Sequence, residues 1–162
     1  MRHLAPLAVS LLLGSASIAA AQPRVGQPAP AIRARAVDAE GEIGMDRYRG
    51  RVVLVVFVAT WCGACRRLAP ELERLSAAHP DLAVVALSHE SRSRIRRHVA
   101  RAEPGVPWLQ CTGHTAVQWG ADALPTYAVV GRDGVVRASF QGVEGSTVAA
   151  LSRAVADALE TR

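Results

Sequence analysis

Apolar positions along the chain fall into runs of two periods. Val52-Val53-Leu54-Val55-Val56-Phe57-Val58 is continuous, β-branched and of strand length, with no polar alternation. A strand of that kind has both faces buried, as at the centre of an α/β sheet. Leu68, Leu72 and Leu75 recur at helical spacing and predict a helix that starts near Cys62 and runs to about His79. Pro70 inside the pattern predicts a kink, and Pro80 closes it. Leu82 to Leu87 reads as a second buried strand, so the three elements form a βαβ unit with parallel strands.

The arginine-rich stretch from Arg92 to Arg101 carries Ile95, Val99 and Ala102 on one face. It predicts a solvated amphipathic helix capped by Ser91 or Ser93. A short strand through Trp108 to Cys111 and a short helix around His114 to Trp119 follow. Thr126 to Val130 and Val135 to Phe140 flank the turn residues Gly131-Arg132-Asp133-Gly134 and predict a β-hairpin. Val148, Leu151, Val155 and Leu159 mark a last helix capped by Ser146. Ahead of all this, Ala31 to Val37 and residues 39–43 suggest a small hairpin in front of the core. The order is β-α-β-α-(β)-α-β-β-α, an α/β fold.

The chain has 162 residues, about one domain's worth, and half of them are hydrophobic. Residues 1–21 read as a signal peptide. Arg2 supplies the charge, Leu4 to Leu13 are apolar apart from Pro6 and Ser10, and Ala19-Ala20-Ala21 forms an A-x-A cleavage site. That run is short of the ~20 residues a membrane span needs, so the expectation is an exported, periplasmic protein cleaved near Ala21, its mature form not spanning the membrane. The formal charge of +5 falls to +4 once Arg2 is lost. All 19 basic residues are arginine, spread out apart from the group at Arg92, Arg94, Arg96, Arg97 and Arg101. That group reads as the solvated face of an amphipathic helix, so nucleic acid is not an expected partner.

Chemistry concentrates at Trp61-Cys62-Gly63-Ala64-Cys65. Two cysteines two residues apart, at the start of a helix that follows a buried strand, can close a disulfide across one turn. Free N–H groups and the positive end of the helix dipole favour the Cys62 thiolate, the attacking species in disulfide exchange. Cys65, one turn inside and more buried, would resolve the mixed disulfide. An inert stabilising disulfide stabilises little through so short a loop. A structural zinc site needs about four ligands, and no second CxxC exists, so no metal is expected. Cys111 makes the count odd; beside Leu109 it reads as a small buried residue. Trp108 and Trp119 read as core or pocket walls, and Trp61 as a wall of the thiol groove.

The run from Val52 to Cys65 resembles the active-site region of the thioredoxin superfamily, most closely its TlpA/ResA-like periplasmic thiol–disulfide oxidoreductases. Pro70 matches the family's helix proline, Leu124-Pro125-Thr126 its cis-proline loop, and residues 129–136 the following hairpin. Residues 25–30 and 46–50 resemble that branch's N-terminal extension, so the likeness spans about residues 25–160. It implies a thioredoxin-like three-layer domain over 22–162, a central mixed sheet flanked by helices. Pro125 would be cis and packed on the disulfide, and Leu124 would touch bound substrate. It also implies protein substrates bearing thiols or disulfides, a membrane electron donor, no cofactor and a monomer. The activity implied is protein-disulfide reduction in cytochrome c or metal-site maturation, or in general disulfide homeostasis. A copper(I) metallochaperone using Cys62 and Cys65 is the alternative. Three positions depart from the pattern. Val56 stands where a buried Asp or Asn is frequent, Leu68 replaces a Glu, and Gly63-Ala64 replaces Gly-Pro, which leaves the residue-64 N–H free to meet the Cys62 sulfur.

Overall fold

The computed structural model describes residues 23–37 and 40–161, and the leader assigned to residues 1–21 lies outside them. Its sheet has seven strands. β1 (Ala34–Ala36) and β2 (Glu42–Ile43) precede β3 (Val52–Phe57), α1 (Gly63–Ala78) and β4 (Leu82–Ser88). α2 (Arg92–Ala102), β5 (Trp108–Cys111) and α3 (Gly113–Gln118) follow, then β6 (Thr126–Val130), β7 (Val136–Gln141) and α4 (Gly145–Glu160). The spatial order is β2-β1-β5-β4-β3-β6-β7. β3–β4 and β4–β5 are parallel, and the remaining pairs are antiparallel.

The unbroken apolar run in β3 has the structural counterpart expected of it. Val52, Leu54, Val56 and Val58 enter one buried cluster with Leu68, Leu72 and Leu75 of α1 and Leu151 and Val155 of α4. Val53, Val55 and Phe57 enter a second cluster with Leu109, Ala116 and Trp119. Alternation along the strand thus feeds two layers at once. Each leucine of the α1 stripe contributes about 1.5–3 kcal/mol by leaving water. Trp119 is buried against Phe57, with ring centroids 5.9 Å apart. Trp108 is half-buried and faces His98 at 4.7 Å.

Three expectations change. The hairpin is not a separate unit in front of the core: β1 pairs with β2 and also, antiparallel, with β5, so it extends the sheet at one edge. Unpaired strand groups at a sheet edge are satisfied most cheaply by another strand. Glu144 rather than Ser146 holds the N-cap position of the last helix, and Ser146 falls in its first turn. Ser91 does hold the N-cap position of α2, but its hydroxyl contacts Ser93 Oγ instead of a helix N–H. Backbone bonds from Gly26 to Val136 and from Ala29 to Gly134 fasten the N-terminal segment to the β6–β7 hairpin. That hairpin turns through Gly134 at φ +79°, which an L side chain adopts only with strain.

Candidate active site

β3 ends in apolar residues, and the chain turns at 59–62 before α1 begins. The Cys62 N–H donates to the Ala59 carbonyl (3.0 Å), closing that turn. Cys62 is the N-cap of α1: its backbone is extended, and its Sγ accepts the N–H of Cys65 at 3.1 Å. An N-cap side chain can reach the second or third helical N–H, here residue 64 or 65, and the bond formed is the one from residue 65. Cys62 and Cys65 are joined in a disulfide, with Cα atoms 5.3 Å apart.

The two cysteines differ less in burial than their order along the helix suggests. Cys62 is 4% exposed and Cys65 is 5%. The disulfide draws both sulfurs into the same apolar cluster, so Cys65 is not the more buried partner in this oxidised form. Trp61, by contrast, is 66% exposed. A large indole beside the disulfide offers apolar contact area to whatever approaches.

The Leu124–Pro125 peptide bond is cis. Pro125 is buried, and its carbonyl accepts the Gly142 N–H at 2.9 Å. Thr126 donates its hydroxyl to the Ala123 carbonyl (2.6 Å), bridging the cis bond. Leu124 is half-buried and packs on the cluster that contains both cysteines. The structure therefore brings Trp61, Cys62, Gly63, Ala64, Cys65 and Leu124 to one end of the sheet, with Pro125 just ahead of β6 and Thr126 starting that strand beside β3.

Behind the disulfide the surroundings are apolar. Val56 and Leu68 are fully buried in the same cluster. Tyr127, opposite Val56 in register, donates its hydroxyl to the Gly142 carbonyl at 2.9 Å. Burial pushes that phenol up to about 12, so it stays neutral across the ordinary pH range. Cys111 is buried away from the pair, in the opposite cluster, and burial raises its thiol to about 11.

Sequence reasoning missed Glu90. Its carboxylate, 8% exposed, accepts the Thr60 N–H at 2.6 Å and the Thr60 hydroxyl at 2.9 Å. The signal lay in its position just past the carboxyl end of β4, beside the strand that delivers the cysteines. Sites in open α/β sheets gather at such strand ends.

The chain matches the Redoxin family over residues 24–158. Among solved structures, it resembles a crystal structure from Chlorobium tepidum described as a putative thiol:disulfide interchange protein DsbE. The TM-score is 0.77 at 24% identity, covering 84% of this chain and 98% of that one. The thiol:disulfide interchange protein CycY of Rhizobium leguminosarum bv. viciae is 29% identical over 116 residues, 69% of this chain and 60% of that protein. The thioredoxin-like protein YneN of Bacillus subtilis (strain 168) is 36% identical over 75 residues, 46% and 44% of the two chains. The chain spans less than half the length of the first curated relatives it matches. At this level of identity the solved structure speaks for the thioredoxin-like fold alone.

Proposed function

The chain belongs to the Redoxin family, and from that footing we propose that it is an exported thiol–disulfide oxidoreductase acting on protein substrates through Cys62 and Cys65. The observation that carries this reading is the disulfide across the first turn of α1, its Cys62 sulfur on a helix N–H. In the reducing direction, the Cys62 thiolate attacks one sulfur of a substrate disulfide and expels the other as a thiolate. Cys65 then attacks the Cys62 sulfur. The 62–65 disulfide forms and the second substrate thiol leaves, so two electrons pass from the dithiol to the substrate. With Val56 and Leu68 behind it, the Cys65 proton leaves to solvent rather than to a neighbouring carboxylate. Trp61, Gly63 and Ala64 form the attacking loop. Leu124, with Pro125 and Thr126, forms the opposing wall against which a substrate strand lies.

We further propose the reductant role, in cytochrome c or metal-site maturation or in general disulfide homeostasis, outside the cytoplasm and with electrons from a membrane donor. The leader-like residues 1–21 support export, and the name of CycY supports the chemistry. No helix among the described residues is long and apolar enough to cross a membrane. Among the described residues no group of three His, Cys, Asp or Glu could hold a metal, so the copper alternative rests on the two cysteine sulfurs alone.

Insulin reduction with dithiothreitol as donor tests the reading. Wild-type protein accelerates it, Cys62→Ser falls to the uncatalysed rate, and Cys65→Ser accumulates a mixed disulfide through Cys62. Turnover surviving in Cys62→Ser ends the proposal. Equilibration of the pair in a glutathione series tests the direction, and a strongly oxidising pair would reject the reductant role.

A further inference from the structure

A carboxylate withdrawn from water is costly unless its lone pairs are filled. Glu90 fills them from several elements. Thr60 gives two bonds from the β3–α1 turn, Ser88 Oγ lies at 3.2 Å at the end of β4, and Arg94 Nη1 reaches it from α2 at 3.4 Å. Its own backbone is tied as well: the Glu90 N–H donates to Ser88 Oγ (3.3 Å), and its carbonyl accepts Gln110 Nε2 of β5 (3.1 Å). The carboxylate is therefore fixed to the sheet and to α2 before it touches the turn. Thr60 stands two residues ahead of Cys62 inside the turn closed by the Cys62–Ala59 bond. That turn is held from inside by one backbone bond and from outside by Glu90.

We propose that Glu90 is the positioning residue of the dithiol: by gripping Thr60 at both its N–H and its hydroxyl, it fixes the 59–62 turn so that the Cys62 sulfur stays over the first turn of α1. The inference rests on the thiol–disulfide reading above and adds to it a group that never touches the reacting sulfurs. Glu90 is not a proton acceptor. Burial works to raise its pKa, but the bonds from Thr60, Ser88 and Arg94 outweigh that and hold it below the ordinary carboxylate value. A carboxylate so satisfied has no lone pair to spare for a thiol proton.

The test uses the full chain, reduced, with Cys62 alkylation by iodoacetamide followed across pH, and the 62–65 pair equilibrated against glutathione. Glu90→Ala leaves the Thr60 N–H without its partner and lets the turn drift. Cys62 alkylation at pH 7 then slows about tenfold, the size of one lost bond to a charged group. The glutathione equilibrium moves toward the disulfide by a similar factor, because the thiolate of the reduced form loses support. Glu90→Gln keeps an acceptor for the Thr60 N–H and recovers most of the wild-type rate. Thr60→Val, which removes only the hydroxyl bond, shows a smaller shift in the same direction and carries the test if Glu90→Ala does not fold. A charge effect without positioning would instead speed alkylation in both Glu90 variants, and that result overturns the proposal. So does an unchanged pH profile and equilibrium in folded Glu90→Ala, or in Thr60→Val. Failure of the wild type to reduce insulin counts against the oxidoreductase reading alone, since alkylation and glutathione equilibration still report how Glu90 holds Cys62.

Discussion

On the sheet face behind the disulfide, Val56, Leu68 and the ring of Tyr127 share one apolar cluster with the two cysteines. At the carboxyl end of β4, the Glu90 carboxylate is nearly as withdrawn from water yet collects four donor contacts. The two regions flank the same two cysteines, and they separate two uses of buried polarity. A carboxylate behind Cys65 would stand alone among apolar side chains. Burial would raise its pKa and make it a proton acceptor. The carboxylate in front is saturated and held ionised, and so fixes geometry. A neighbour's bonding, more than its charge or its depth, decides which task it can perform.

Placing a carboxylate on the apolar side is the harshest way to break that contrast. Val56→Asp is expected to cost about 3 kcal/mol at neutral pH, because position 56 is fully buried in the apolar cluster. The introduced carboxyl has a folded-state pKa above its unfolded value of about 3.9. The folded state then binds the proton more tightly, and stability declines as pH rises through that window. Denaturant melts at pH 4 and pH 8 read the difference; a variant equally stable at both would mean that the region behind Cys65 is wet.

Removing the charge from the polar side has a smaller effect of the opposite sign in pH. The Glu90 pKa is lowered in the folded protein, so its contribution is present above the unfolded value of about 4.3 and is lost as pH falls through the folded value. Glu90→Gln is expected to cost about 1.5 kcal/mol at pH 7. Melting curves of the two proteins should converge in acid, and a gap that persists unchanged at pH 3 would assign the loss to packing. The gentlest probe is Tyr127→Phe. It deletes the bond to Gly142 and is expected to cost about 1 kcal/mol in the same melts. A cost near zero would show that this phenol contributes only its ring.

Much of this arrangement was legible in the chain. The run 52–58 named a central strand because nothing in it was polar, and the leucine spacing named α1. The Asp-Gly turn named the β6–β7 hairpin. The Cys62–Cys65 spacing at a helix start named the disulfide, and the likeness around Leu124-Pro125-Thr126 named the cis bond. What stayed hidden depends on partners far away in sequence. Periodicity in residues 31–43 is too short to tell a free hairpin from one laid along β5. The grip of Glu90 on Thr60 links residues thirty apart, and nothing local to His89-Glu90-Ser91 announces it. The equal burial of Cys62 and Cys65 follows from ring closure, which helix position does not foretell.

The edge formed by β1 has a consequence for how the molecule is assembled. Ala34 lies opposite Cys111, and the preceding segment latches onto Gly134 and Val136. Residues ahead of β3 thus find their partners only after β5 and the β6–β7 hairpin have been delivered. Long-range closures of this kind come late and slowly. The core strands β3 and β4 with α1 are close in sequence and suited to form early, and the N-terminal segment is then the last to be sewn on.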